Sequence, residues 1–453
     1  MNIKRLSLSN VGRFQNIALD LAPTDTDTSN ITVFIGNNGA GKTSILKSIA
    51  TGLSWLVARI RSEKGIGNAI PEQVIRDSQA SAEVSISIVA DQHNAHSSTY
   101  SWMLSKGSKG KKVSTASDLS GATQLADFYR RSLTHNEQAS LPLIAFYPVE
   151  RVVLDVPLKI RERHSFLQLD GYDNALNNGV DFRRFFEWFR EREDTENEAG
   201  VSPEVLAAIT KVMGPDAALL EKLSSLAASS KDKQLSAVRT AIEAFMPGFT
   251  NLRVRRKPRL HMSIDKNGQR LNVLQLSQGE KSLMALVGDI ARRLAMMNPA
   301  LGNPLHGDGI VLIDEVDMHL HPTWQRKIIK QLTNTFPCCQ FILTTHSPLV
   351  ISECKDVLVY SLDDGEVTEV KSQFGEDANS VLLNVMNTSA RNEDIEKEIN
   401  DIFDLIQDAT DSEKVLNTQE KINNLSKKLS PDHLEVIKAS LMFQKRILKN
   451  AKN

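Results

Sequence analysis

Gly36–Thr43 reads GNNGAGKT, with two glycines framing four residues and a lysine and threonine closing the run. This is the phosphate-loop pattern G-x-x-x-x-G-K-[ST]. Its glycines let backbone N–H groups turn inward around an anion, at the start of a helix whose dipole favours negative charge. Asn37, Asn38, Gly39, Ala40 and Gly41 form that cradle, and Ser44 follows it into the helix. Lys42 is expected to reach the β- and γ-phosphates of a nucleotide, and the Thr43 hydroxyl to ligate Mg²⁺. Far downstream, Ile310–Glu315 reads IVLIDE, an apolar run ending in two acids. Asp314 suits the metal shell, and Glu315 suits polarising an attacking water. After the next hydrophobic run come Thr345, His346, Ser347 and Pro348, and His346 could donate a hydrogen bond to a γ-phosphate.

These groups need a parallel sheet to bring them to one edge. Ile31–Ile35 leads straight into the phosphate loop, and SILKSIATGLSWLVARI continues at helical spacing. Leu141–Tyr147, Gly309–Asp314 and Gln340–Thr344 are short apolar runs of the kind buried on both faces of a sheet. The opening residues alternate as a first strand, and residues 83–90 and 99–104 read as two more. KGSKGKK, at 106–112, reads as a polar loop whose lysines are solvated. DFRRFFEWFREREDTENE carries Phe182, Phe185, Phe186, Trp188 and Phe189 at helical spacing, which reads as a packing face. VSPEVLAAITKVMG and KDKQLSAVRTAIEAFMPG read as further helices. The resulting division is an N-terminal lobe over 1–164, a helical insertion over 165–250, a C-terminal lobe over 251–389 and a helical segment over 390–453. No sustained heptad and no Cys-x-x-Cys marks the insertion, which argues against long coiled-coil arms and a zinc hook.

Bulk composition narrows the class. The chain has 453 residues, a formal net charge of −1 and three cysteines without metal-ligand spacing. Any nucleic-acid contact must therefore come from a local patch. Arg253–His261 holds five Lys and Arg residues, which could contact the phosphates of DNA or RNA. The favoured reading is the solvated face of an edge strand, where charge discourages aggregation. His319 and His321 lack a third ligand for zinc. With no signal-peptide pattern and no membrane-length apolar run, a cytoplasmic location is expected.

The order GxxxxGKT, LSQGE at Leu276–Glu280, IVLIDE and TTHSP resembles the ABC-type ATPases of the SMC, RecF and OLD group. The resemblance implies an α/β P-loop ATPase head, a mixed β-sheet flanked by helices, that uses ATP and Mg²⁺. It also implies a homodimer in which Ser277 and Gly279, in a signature motif closed by Glu280, complete the partner's ATP site. Asp317 and the following MHLHP resemble the D-loop that crosses such an interface. NVGRF at 10–14, FYPVER at 146–151 and EVDMHLHP at 315–322 resemble more narrowly the Septu and retron-associated ATPases of anti-phage defence. That likeness implies an HNH-type nuclease partner and, in a retron, a reverse transcriptase with its RNA–DNA product. The Q-loop glutamine finds no position. The segment after His346 lacks the acidic motifs of an OLD-type Toprim nuclease, so no nuclease site is expected. A RecF-like repair ATPase acting directly on DNA is the alternative reading.

Overall fold

The computed structural model describes residues 1–91, 97–111, 115–149, 166–177, 182–199, 231–386, 388, 391–408 and 412–450. The helix expected at VSPEVLAAITKVMG, Lys112 of the basic loop, and Glu150 and Arg151 of FYPVER lie outside these residues. Contacts divide the chain into two compact units, Met1–Glu376 and Asp377–Asn453.

The first unit is built on a six-stranded sheet. Its strands are β3 (Ile31–Gly36), β6 (Leu143–Tyr147), β10 (Gly309–Ile313), β11 (Cys339–Thr344), β12 (Leu358–Asp363) and β13 (Glu366–Val370). Their order is β13-β12-β3-β11-β10-β6, parallel throughout except for β13 at one edge. Strands β6, β10 and β11 are buried at every position, which explains why they read as continuous apolar runs. Parallel pairing places the C-terminal ends of β3, β10 and β11 on one edge, where ligands of open α/β sheets bind.

Strands β1 (Asn2–Val11), β2 (Phe14–Asp20), β4 (Ser81–Asp91) and β5 (Ser97–Gly107) form a separate antiparallel sheet. The buried residues of β1 step from Ile3 to Leu6 and then to Leu8, because its pairing with β4 shifts register between Ile3 and Arg5. One inserted residue re-phases the alternation. Gln340 in β11 ties the two sheets together. Its fully buried amide accepts from Ile3 N at 2.7 Å and donates to Ile3 O and Ala22 O. Both ends of the amide are satisfied, so its burial is tolerated.

Helix α1 (Lys42–Arg61) follows the phosphate loop, and α2 (Ser120–His135) packs beside it. Helix α3 (Phe182–Ala199) buries all five of its early aromatic residues, as their spacing predicts. Helix α4 (Lys233–Phe245) leads into a three-stranded antiparallel sheet of β7 (Phe249–Arg255), β8 (His261–Lys266) and β9 (Gln269–Asn272). Helix α5 (Gln278–Met297) comes next and contacts α3 and α4.

A buried ionic cluster fixes α5. The Asp289 carboxylate accepts from Arg292 Nη2 at 2.6 Å, Arg293 Nε at 2.7 Å and the Tyr147 hydroxyl at 3.0 Å. Arg293 also donates to Gly171 O and Asp173 O. Burial alone would raise the Asp289 pKa, but Arg293 and Arg292 outweigh it and hold the group at about 2.

In the second unit, helices at Glu393–Asp408, Ser412–Leu429 and Leu434–Asn450 enclose a small core that includes Ile402, Leu425 and Phe443. No helix among the described residues is long and apolar enough to cross a membrane.

Asp289→Asn leaves two buried guanidinium groups without their anion. We expect it to destabilise the protein by about 3–5 kcal/mol, read as a lower denaturant midpoint. Because the folded pKa of Asp289 is depressed, its contribution is fully present above the ordinary value of 3.8. It is lost as pH falls towards about 2.

Candidate functional site

The phosphate loop leaves β3 at Gly36 and enters α1 at Lys42, as the motif requires. Gly41 caps α1 with φ 109°, and a Cβ there would lie 2.5 Å from Phe14 Cζ. Only glycine satisfies both the dihedral and the contact. A Cβ at Gly39 would lie 3.5 Å from Arg13 Nη2. The NVGRF turn therefore packs Phe14 beneath the loop and sets the Arg13 guanidinium beside it. Asn37, Asn38 and Gly39 form the exposed rim, while Ala40 and Lys42 are buried. Lys42 Nζ donates to Gly36 O at 2.7 Å and Asn37 O at 3.0 Å, so the ammonium lies across the loop's own carbonyls.

The acids converge on the same lysine. Burial lowers the Lys42 pKa, opposed by the charges of Glu315, Asp314 and Asp317. In an extended strand, consecutive side chains point to opposite faces. Glu315 escapes that alternation because its φ is 46°, in the left-handed region that non-glycine residues seldom occupy. Its N–H donates to Thr344 Oγ1 at 2.7 Å, which helps hold the turn. The Thr344 hydroxyl in turn donates to Asp314 Oδ1 at 2.6 Å, and Thr43 Oγ1 donates to Asp314 Oδ2 at 2.8 Å. The Thr43 hydroxyl and the Asp314 carboxylate thus sit side by side as hard oxygen donors. A cation that retains waters and takes one or two protein oxygens, as Mg²⁺ does, suits such a pair.

His346 follows β11 on the same edge and is exposed. Desolvation, followed by the Lys42 charge, pushes its pKa below the ordinary value, while Glu315, Asp317 and Asp314 act in the opposite sense. The next turn is tightly braced. Thr345 Oγ1 donates to Asp317 Oδ1 and accepts from Ser347 N, and Ser347 Oγ donates to Gln325 Oε1.

Ser277, Gly279 and Glu280 form a second centre. Ser277 caps α5, with its Oγ accepting from Glu280 N at 3.3 Å while Glu280 Oε2 accepts from Ser277 N at 3.0 Å. This reciprocal capping box satisfies two helix-end donors at once. Lys266 Nζ donates to the other Glu280 oxygen at 2.7 Å. A Cβ on Gly279 would lie 2.3 Å from His319 O, so glycine alone allows the segment after Asp317 to approach. Glu280 therefore braces the loop. Ser277 is exposed, and no hydrogen bond joins it or Gly279 to the phosphate loop among the described residues.

Structure thus gathers Lys42, Thr43, Asp314, Glu315, Asp317 and His346 on one edge and holds Ser277, Gly279 and Glu280 in a separate group. Sequence reasoning quoted Thr344, Arg13 and Phe14 only inside the motifs TTHSP and NVGRF and gave none of them a role. Thr344 and Arg13 carry polar groups that meet the site only through sheet pairing or a distant turn. A hydroxyl at the end of an apolar strand, one strand away from IVLIDE, was the available signal for Thr344.

Comparison with known proteins adds relatives to this geometry. The family model described as an AAA domain matches residues 5–243. The retron Vc95 probable ATPase of Vibrio cholerae is 33% identical, the alignment covering 86% of this chain and 80% of that protein. The retron Ec83 probable ATPase of Escherichia coli is 31% identical over 99% of this chain and 87% of that protein. The Septu protein PtuA of Bacillus mycoides is 34% identical over 34% of this chain and 22% of that protein.

Proximity of Lys42 and His346 has a measurable consequence. Removing a neighbouring cation favours the protonated imidazole, so Lys42→Ala should raise the His346 pKa. An NMR titration of His346 in both proteins checks this, and an unchanged midpoint would separate the two side chains.

Proposed function

The chain belongs to the AAA-domain family and is a relative of the retron Vc95 and Ec83 probable ATPases, and on that footing we propose that it is an ATP-hydrolysing clamp. The observation that carries the proposal is the Asp314 carboxylate, shared between Thr43 and Thr344 beside Lys42 and Glu315. The loop N–H groups and Lys42 bind the phosphates, and Thr43 and Asp314 hold Mg²⁺. The bound Mg²⁺ supplies charge neutralisation for the phosphates. Glu315 orients the attacking water and takes its proton, and His346, kept neutral by its surroundings, donates a hydrogen bond towards the γ-phosphate.

Two copies complete the site. The exposed Ser277 and the constrained Gly279 of one protomer close over the nucleotide of the other, with Asp317 at the interface. The capping box supports this role because it fixes the Ser277 backbone before closure, reducing the ordering left for binding. We assign the clamp to anti-phage defence of the Septu or retron type. There its closure controls an HNH-type, PtuB-like nuclease and, in a retron, engages a reverse transcriptase and its RNA–DNA product. Kinship with the retron ATPases and with PtuA supports that assignment. Cutting is assigned to the partner, and this chain to its control.

Glu315→Gln should slow ATP hydrolysis by about 10²–10⁴-fold while leaving ATP affinity unchanged. Single-turnover kinetics alongside equilibrium binding tests this, and normal hydrolysis would remove Glu315 as the principal base. Ser277→Arg should abolish the ATP-dependent dimer and leave ATP bound to the monomer. Light scattering with and without nucleotide reads the difference; a dimer that persists would exclude closure through the signature loop.

A further inference from the structure

The basic run at Arg253–His261 reads in sequence either as solvated edge charge or as a phosphate contact, and the structure sorts its members. Arg256 is ion-paired with Asp194 on α3. The other cations have no carboxylate ion-pair partner among the described residues: Arg253 and Arg255 on β7, and Lys257 and Arg259 at the exposed hairpin tip. Arg253 and Arg255 occupy alternate positions of β7, while Leu252 and Val254 between and beside them are buried, so the arginines share the opposite face. Residues two apart on a strand lie about 6.6 Å apart along it.

Neighbouring acids are hydrogen-bonded to other groups, and Arg253 and Arg255 act on Glu193 and Asp265 only through their charge, without an ion pair among the described residues. Glu193 accepts from Arg239 and from Val254 N at 2.7 Å, and Asp265 is held by Asn251 and Arg270. A bulge between Thr250 and Arg253 puts Asn251 at φ 56°, where its side-chain oxygen accepts from Arg253 Nε at 2.9 Å. That hydrogen bond props the guanidinium with a neutral group in place of a carboxylate. The register places Asn272 and the buried Ser263 on the Arg253 side of the sheet, and the half-buried His261 beside Arg255. No large apolar side chain of β7, β8 or β9 is exposed. A protein-docking surface needs apolar anchors at its centre, whereas a surface of unpaired guanidinium, ammonium and small polar groups suits phosphates.

We propose that the outer face of the β7–β8–β9 sheet binds the phosphodiester backbone of a nucleic acid, with Arg253, Arg255, Lys257 and Arg259 touching the phosphates. The surface is distinct from the nucleotide site, so its test is independent of ATP hydrolysis. Binding through these cations releases counterions and weakens as salt rises.

The test uses the full chain and labelled single-stranded DNA, single-stranded RNA and duplex DNA, each of about 20 nucleotides. Fluorescence anisotropy is followed between about 50 and 200 mM salt. At least one of the three should bind, and the one that binds identifies the source of the backbone. Two pairs of changes, Arg253→Gln with Arg255→Gln and Lys257→Gln with Arg259→Gln, should each weaken binding. Each pair should also flatten the log–log salt slope by about 1.4 for a single strand, at roughly 0.7 for every phosphate no longer neutralised. The tip pair is exposed and guards against a variant that simply misfolds. Lys106→Gln with Lys109→Gln, on the separate basic loop, should leave binding unchanged. Absence of salt-dependent binding to all three probes would overturn the proposal, as would equal weakening in the loop variant. So would displacement by polyglutamate at equal charge concentration, which would mark the face as a site for an acidic protein.

Discussion

Asp314 is gripped from two sides. Thr43, at the start of α1, donates to one carboxylate oxygen, and Thr344, at the end of β11, donates to the other. This sharing works only if β3 and β10 flank β11 in parallel and end together, which is the order the sheet adopts. A buried carboxylate left without donors would cost several kcal/mol. The two hydroxyls supply those donors, one to each oxygen. Thr344 has a second duty, accepting from Glu315 N at the residue whose left-handed φ breaks the strand's alternation after Asp314. One hydroxyl therefore helps position both carboxylates, Asp314 and Glu315.

Helix α5 links the other centre to the body of the fold. Its first turn carries the capping box of Ser277 and Glu280, and Lys266 holds that box against β8. Further along, Asp289, Arg292 and Arg293 lock the same helix to Tyr147 at the end of β6. A rigid helix fixed at one end and capped at the other presents the signature loop with little freedom left to lose. Gly279 then lets the chain after IVLIDE lie against it, so loops from distant parts of the sequence meet there.

Some of the fold was legible beforehand, and the misses have specific causes. Strands β3, β6, β10 and β11 announced themselves as buried apolar runs between turn signals. Strands β12 and β13 escaped notice, since LVYSLD and EVTEV are short and bear no motif. Runs of that length do not distinguish strand from helix by periodicity. The opening residues contain a complete hairpin, β1 with β2, before β3, which is more than a single first strand. FQNIALD had been hidden by its exposed polar positions. Arg13 and Phe14 were noticed only as part of a likeness, because their contacts with Gly39 and Gly41 depend on where that hairpin lands.

By itself the sequence determined the local chemistry: a phosphate-binding turn, a strand ending in two acids, a histidine after the next strand and a capped helix opening on LSQGE. Each depends on residues within a few positions of one another, where backbone geometry alone relates spacing to direction. Tertiary structure decided which of these groups meet. Thr43 and Asp314 are separated by 271 residues, and their hydrogen bond exists because parallel pairing brings two strand ends together. It also decided which charges are compensated. Arg256 and Arg255 are neighbours in the chain, but among the described residues Arg256 alone of the two is in an ion pair, because strand geometry sends adjacent side chains to different surroundings.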